Sequence, residues 1–411
     1  MKNIAKKIFV IILILVFIAA FSASYSSLNI DNLAFVVALG IDTSDTKSIK
    51  VTFQFVNPPS STEGASGDSK IILDTVDATS ITNAINTMNA YLAKKLDLSH
   101  CKTIVFSEEI AKNGLSEYIY SLMNDVQIRP TSNIIISKCT ANAYIGQSAP
   151  SLETLVSKYY DTFPNSSKYT GYMPNATIGD FFNALVCNYC QPYAILGGTL
   201  SDNNDVSDND ISNLDENSGD SEIKSGSSTI SGTRNSENIG TAVFKHDKLV
   251  GELNAIETIC LLSLTNKVNS FLISIQNPED ETSLIDIYLT PDGKTKIDAQ
   301  IVNSSPYIKV DANFTARIHS MNENSKYLDS NILNSISDKC SNYLESAISQ
   351  FLYKTSLTYK SDITGIGKHV LYNFKTDKDF ENYNWESNYT NSTFEININT
   401  NMESGFLLTQ T

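Results

Sequence analysis

Fourteen consecutive apolar residues from Ile8 to Phe21, IFVIILILVFIAAF, stand near the start of the chain behind Lys2, Lys6 and Lys7, with no Gly, Pro or charge among them. No other stretch restricts the fold as much, because a run like this leaves water as a unit and decides on which side of a bilayer the rest folds. As a helix it rises ~1.5 Å per residue and covers only ~21 Å, against a hydrocarbon core of ~30 Å. On length alone it is a signal-peptide core, whereas extension through Ser22 to Tyr25 reaches ~27 Å and gives a slightly thin, uncleaved anchor. In both cases the lysines keep the N-terminus in the cytoplasm and the remainder is exported. The other reading, a buried core helix, suits poorly a cation-flanked, charge-free run at the N-terminus.

About 390 residues follow, enough for two or three domains with sizeable cores. At 41% hydrophobic and 18% charged the chain is globular, and its 45 acidic against 30 basic residues give a net charge of −15. That balance argues against nucleic acid and anionic lipid headgroups as partners, so membrane association has to come through the leader or through other proteins. The six cysteines, Cys101, Cys139, Cys187, Cys190, Cys260 and Cys340, are too dispersed for a disulfide scaffold. They read chiefly as small buried hydrophobes.

After a polar joint from Ser22 to Asn32, Leu33 to Ile41 is an unbroken apolar run that suits a strand covered on both faces. Ile49, Val51, Phe53 and Phe55 alternate with polar residues and predict a half-buried antiparallel partner. Pro58 to Ser69 is a loop, and Ser80 caps a helix carrying Ile81, Ala84, Ile85, Met88 and Leu92. A strand from Thr103 to Phe106 leads to Ser107, whose hydroxyl is placed to cap a helix with Glu108 and Glu109 at its positive end. That helix presents Ile110, Leu115, Tyr118, Ile119 and Leu122, and a strand from Asn133 to Ser137 follows. Thr177 and Asp180 form a capping box, and Tyr193 to Leu200 is a closing strand.

Ser201 to Asn238 carries nine acids against two bases and no aromatic residue. It cannot bury enough apolar area to offset ~1 to 2 kcal/mol of backbone entropy per ordered residue, and reads as a disordered linker or long loop. Its Asp spacing resembles a calcium loop, but DVSDNDISNLDE lacks the Gly and terminal Glu in register. Beyond it, Ala242, Phe244, Leu249 and Leu253 flank a His246-Asp247 hairpin turn, and Asn254 caps a helix through Leu262. Strands are predicted over Ile285 to Leu289, Thr295 to Val302 and Ile308 to His319, the first two joined by Pro291-Asp292-Gly293. Ile332 to Leu352, capped by Asp329 or Ser330, is the longest amphipathic helix, and Thr393 to Asn401 ends the fold as a strand. The whole is an α+β protein of several domains with mixed and antiparallel sheets packed by helices. Its divisions are residues 1–24 (leader or anchor), 25–200 (N-terminal α/β), 201–238 (linker) and 239–411 (C-terminal α+β).

No stretch carries reaction chemistry, a metal set or a cofactor motif. His100 and Cys101 enter a strand and alternate faces, so they cannot form a nucleophile pair beside Glu108 and Glu109. Cys187 and Cys190 sit one turn apart on an apolar helix. Zinc lacks two further ligands and a redox CxxC opens a helix instead of closing it, which leaves core packing ahead of a disulfide. His246 and Asp247 are a solvated turn, and His319 and His369 have no ligand-spaced partner.

Three segments resemble the Ger(x)C family of spore germination receptor subunits: DNLAFVVALGID at Asp31 to Asp42; SHCKTIVFSEEIAKNG with IRPTSNIIISK at Ile128 to Lys138; and GTAVFKHDKLVGELNAIET, continuing through TYKSDITGIGKHV at Thr358 to Val370 and the single Trp385. The likeness spans residues 28 to 405 apart from the acidic stretch. It implies a non-catalytic, membrane-tethered subunit in the spore inner membrane, its bulk on the extracytoplasmic side, assembling with A-type and B-type receptor subunits. The family's lipid-bearing Cys is replaced by Ser24, which has no thiolate to alkylate, so no lipid anchor is expected. An uncleaved leader helix is then the expected substitute, against cleavage after Ser22 or Ser24. The alternative function is an extracytoplasmic protein that itself captures a small nutrient; a hydrolase of the spore envelope finds no support in the residues.

Overall fold

The computed structural model describes residues 2–22, 30–46, 48–56, 72–148, 155–200, 223–228, 230, 234–278, 280, 282–319 and 330–403. Ser24, the Pro58 to Ser69 loop, the acidic stretch as far as residue 222 and Asp329 lie outside the described residues. Helix α1 (Lys2–Ser22) contains the apolar run, with Ile8, Phe9, Ile14 and Phe17 exposed. Among the described residues no helix is long and apolar enough to cross a membrane.

Two domains follow, each an α+β unit with its own core. The first is organised on β1 (Leu33–Thr43), buried on both faces as its composition demands. Beside it lie β2 (Ile49–Phe55), antiparallel with Leu39 opposite Phe53, and β5 (Thr103–Ser107), parallel. Parallel β6 (Asn133–Ser137) and β7 (Tyr193–Thr199) extend the sheet, then antiparallel β8 (Ser236–Lys245) and β9 (Lys248–Leu253). On the other side β3 (Ile72–Ala78) pairs with β2, and the short β4 (Lys95–Asp97) pairs with the start of β1. Strand β2 is not half-buried: Thr52 and Gln54 are wholly buried because helices cover that face. Asn142 of α5 (Ala141–Gln147) donates to Thr52 Oγ1 at 3.2 Å, and the Tyr160 hydroxyl of α6 (Val156–Thr162) donates to Gln54 Oε1 at 2.8 Å. Strands β3 and β4 are not foreseen from their alternation.

The expected long helix after β5 is two, α3 (Glu108–Asn113) and α4 (Ser116–Met123), broken at Gly114 with φ 125°. Ile110, Leu115, Ile119 and Leu122 remain buried. The break is stabilised from far along the chain: Leu115 N–H donates to the Asp247 carbonyl at 2.9 Å and Ser116 N–H to the Asp247 carboxylate at 3.3 Å. Ser107 precedes α3 but its hydroxyl makes no capping bond. The other caps form. Ser80 accepts from Asn83 N–H ahead of α2 (Ile81–Tyr91), and Thr177 from Asp180 N–H ahead of α7 (Ile178–Leu185), each at 3.1 Å. Asn254 and Glu257 exchange bonds at 2.9 and 3.0 Å at the start of α8 (Ala255–Leu264). Asn254→Ala is expected to lower stability by ~1 kcal/mol, read as a lower urea midpoint, with Asn254→Asp close to wild type.

In the second domain β10 (Phe271–Gln276), β11 (Leu284–Pro291), β13 (Ser305–Ile318) and β12 (Lys296–Val302) lie in that order, with β14 (Thr393–Met402) parallel to β13. The Pro291-Asp292-Gly293 turn joins β11 to β12, but these strands do not pair. At fourteen residues β13 is long enough to pair with β12 through Val310 opposite Ile297 and with β11 through Ala316 opposite Leu289. Helix α9 (Ser330–Tyr353) buries Ile336, Cys340, Leu344, Ile348, Phe351 and Leu352, each large side chain worth ~1.5 to 3 kcal/mol. An adjoining polar stripe closes the edge of β14. Ser341 Oγ accepts Thr400 N–H at 3.1 Å, Glu345 accepts Ile398 N–H at 2.9 Å, and the Ser337 hydroxyl donates to the Thr400 carbonyl. An open row of strand N–H and C=O groups is thereby covered.

The two cores meet on β8, where Ala242 and Phe244 belong to the first and Val243 to the second. Residue 239, read as the start of the C-terminal domain, thus falls inside a strand of the N-terminal sheet. Residues 223–228, read as part of the linker, pack against that sheet. Ser225 N–H donates to the Ile239 carbonyl and the Ser225 hydroxyl to the Leu196 carbonyl, both at 2.9 Å, while Ala255 N–H donates to the Ile223 carbonyl at 2.9 Å.

Candidate functional site

Strands β1, β5 and β6 run parallel, so Thr43, Ser107 and Ser137 end on one edge of the sheet. There the chain reverses, passing from β1 to β2 and β3 on one side and later to β5, β6 and β7 on the other. In open α/β sheets ligands sit beyond the strand ends at such a reversal. A cleft of about 740 Å³ lies at this point, lined by Asp42, Thr43, Lys50, Glu109, Lys138 and Asn142 among others. Asp42 is buried and accepts Ala141 N–H at 2.6 Å and Asn142 N–H at 3.0 Å, which fixes the first turn of α5. Burial raises its carboxyl above the usual range, opposed by those two amides and by Lys50. Glu109 accepts from the Thr43 hydroxyl at 2.7 Å, and Glu108 pairs with Lys112 at 2.5 Å.

A second concave region follows the seam between the domains, as clefts of about 320 and 380 Å³ lined by Cys187, Cys190 and Gln191 on one side and by the chain from Lys360 to Gly365 and Trp385 on the other. The seam is densely bonded. Gln191 N–H donates to the Asp362 carbonyl, Tyr359 to the Glu252 carbonyl, and Lys354 to the Glu257 carboxylate, at 2.8, 2.8 and 2.7 Å. Lys245 and His246 share Glu386 at 2.9 and 3.2 Å. At its centre the buried Asp362 carboxylate accepts from Thr364 Oγ1 and the N–H groups of Gly365, Ile366 and Gly367 at 2.8 to 3.1 Å, and from Trp385 Nε1 at 3.0 Å.

Glu252 links the seam to residues 223–228, receiving Lys138 at 3.2 Å and Lys224 at 3.0 Å. Burial alone would raise its carboxyl, but the two lysines outweigh that and hold it below the usual range. A carboxylate lowered on folding contributes stability above its unfolded pKa and loses it as pH falls through the folded one. Glu252→Gln is therefore expected to cost about 1.5 to 3 kcal/mol near pH 7, with the gap to wild type closing below about pH 4 in urea titrations across pH.

The other residues singled out in the sequence are dispersed. Cys101 is buried, its Sγ directed at the Thr103 carbonyl, and burial pushes its thiol up to about 12, the reverse of an activated nucleophile. His100 packs its ring edge-on to Phe35. Cys260 and Cys340 are buried thiols likewise raised by burial, and Cys139 is partly buried beside Ser137. Cys187 and Cys190 depart from the core-packing expectation. Helix α7 ends at Leu185, so the pair lies on the following loop, and it forms a disulfide with Cα atoms 5.7 Å apart. His246 and Asp247 do form the hairpin turn, but they bond to Glu386 and to α4. His319 packs against the Tyr288 ring, and His369 is lowered by burial and by Lys368. Among the described residues no three His, Cys, Asp or Glu side chains converge as a metal site. Asp42, Asp362 and Glu252 carry no motif, and only their burial distinguishes them from surface acids.

Fold and sites together define a two-domain α+β protein with one cleft at a sheet edge and another along the domain seam. Two sequence profiles match it in order: the spore germination protein N-terminal domain over residues 26–196, and the spore germination B3/GerAC-like C-terminal domain over residues 239–405. The chain belongs to this GerAC-like family of spore germination proteins, the germinant receptor C subunits. It is 20% identical over 394 residues to spore germination protein KC of Bacillus subtilis (strain 168), spanning 93% of this chain and 92% of that protein. Its fold matches the crystal structure of the GerBC protein with a TM-score of 0.52 at 16% identity, over 89% of this chain and 96% of the other.

Proposed function

We propose that the chain is a non-catalytic, membrane-tethered subunit of a spore nutrient-germinant receptor, with its body on the extracytoplasmic side, acting by assembly with A-type and B-type membrane subunits. The supporting observation is the pair of family profiles, in order and nearly end to end, directly behind the exposed apolar α1. Helix α1 serves as leader and tether: its apolar run falls short of ~30 Å of hydrocarbon, and local bilayer thinning with Lys6 and Lys7 at the headgroups makes up the difference. Lipidation is not part of the proposal, since Ser24 cannot be alkylated.

The test is membrane fractionation of spores carrying wild type or a chain lacking residues 2–22. Wild type is expected in the inner-membrane fraction with an intact N-terminal peptide by mass spectrometry; the truncated chain is lost from it and germination with nutrients falls. Unchanged germination with every nutrient in a deletion strain, together with unchanged levels of the membrane subunits, would refute the assembly role.

The cleft of about 740 Å³ at the sheet edge favours one second reading, capture of a small polar nutrient. Calorimetry with amino acids and sugars tests it: saturable heat that Glu109→Gln weakens supports capture, and no heat with any of them removes it.

A further inference from the structure

We propose that the Cys187–Cys190 disulfide is a redox-operated latch on the seam between the two domains, closed when oxidised and loosened when a dithiol reductant opens it. The loop that carries it, between α7 and β7, forms part of the first domain's side of the seam, beside the β8–β9 turn. Its backbone meets the second domain directly. Gln191 N–H donates to the Asp362 carbonyl at 2.8 Å, and the Tyr189 carbonyl lies 2.6 Å from where a Cβ on Gly367 would stand. Cys190 Cβ comes within 3.9 Å of the equivalent point on Gly365. The side chain of Gln191 also accepts His246 N–H at 2.5 Å, so the same loop steadies the β8–β9 turn.

Reach and selectivity follow from the surroundings. Both sulfur-bearing residues are only partly buried and line the seam clefts, whereas Cys101, Cys260 and Cys340 are buried free thiols. The clefts hold Asp180, Asp362, Glu381 and Glu386 against His246, Lys267 and Lys360. That is not the electropositive setting that makes a cysteine a standing nucleophile, so the pair is acted upon and does not itself oxidise other proteins. In the exchange, a thiolate of the dithiol attacks one sulfur and breaks the S–S bond, giving a mixed disulfide, and the reagent's second thiol resolves it. Cys187 and Cys190 leave as two thiols, and the reagent becomes the disulfide, two electrons and two protons having moved from it to the pair. The loop then regains the freedom that the closed ring removed.

Hydrogen–deuterium exchange on the full chain in detergent micelles tests this, comparing the oxidised protein, the protein treated with dithiothreitol, and the Cys187→Ser/Cys190→Ser double variant. Reduction is expected to release two titratable thiols beyond those of the oxidised form. It should also speed exchange at the amides of Gln191, Gly365, Ile366 and Gly367 by about tenfold, leaving those of β5 and β13 unchanged. The double variant should match the reduced form; if it does not fold, the reduced wild type decides alone. Unchanged exchange after both thiols appear, or no new thiols on reduction, overturns the proposal.

Discussion

Replacing Asp362 with alanine is expected to destabilise the second domain by at least about 3 kcal/mol. The carboxylate receives five donors within 3.1 Å, four of them on the short turn that follows it and the fifth the Trp385 indole. Each buried donor left without a partner costs about 1 to 3 kcal/mol, and water entering the vacated volume recovers only part. For a domain of this size that is a fall in Tm of roughly 10 °C. Asp362→Asn is no rescue, because its amide NH₂ would face N–H donors on one side. Trp385 is the only tryptophan, so unfolding followed by its fluorescence reports on the affected contact itself. Burial raises the Asp362 carboxyl, with the Gly367, Thr364, Trp385 and Ile366 donors opposing. Since a raised carboxyl favours the folded state at low pH and loses that advantage as pH rises through its folded value, the gap between wild type and Asp362→Ala should narrow from acid toward neutral pH. A Tm change under about 2 °C would mean the donors are satisfied some other way.

The Asp362 turn also shows where sequence reading runs out. TYKSDITGIGKHV carries part of the family likeness, yet nothing in its letters separates a buried carboxylate from a solvated one; the distinction lies in Trp385, twenty-odd residues away, and in the loop from Val186 to Pro192. Apolar periodicity was legible where one element decides its own fate: β1, the caps at Ser80, Thr177 and Asn254, the α9 stripe and β14 all stand where the sequence places them. It failed where a distant segment intervenes. Asp247 supplies the bonds that let the helix break at Gly114, β13 enters between two strands joined by a turn, and Ser337 and Ser341 of α9 cover a strand edge that lies some sixty residues further along the chain. The sheet-edge cleft is half visible in the sequence, since Glu108 and Glu109 stand out for the helix end they favour. Asp42 and Lys138 reach it only through strand order, which no local pattern encodes.

The second large effect is expected from Gly240→Ala, and it tests whether β8 is the rigid element the two cores share. Gly240 has φ 97°, a region costly for any residue with a Cβ. An added Cβ would also stand 2.3 Å from the Leu253 carbonyl of β9, and backbone cannot swing aside as a flexible side chain can. Leu253 in turn is followed by the Asn254–Glu257 capping box, and Gly240 N–H is bonded to the Tyr172 carbonyl at 2.7 Å. Relief therefore requires β8 and β9 to part, which opens Phe244 to one side and Val243 and Leu253 to the other. We expect a loss of at least about 4 kcal/mol, seen as rapid tryptic cleavage between residues 236 and 264 or as failure to accumulate. Gly293→Ala is the internal control: its φ is 87°, but nothing lies within 4 Å of the new Cβ, so only the backbone cost of about 1 kcal/mol remains. The difference between the two variants isolates the steric contact from the dihedral. If they prove equally mild, β8 and β9 separate easily, and the domains are joined by the seam contacts alone.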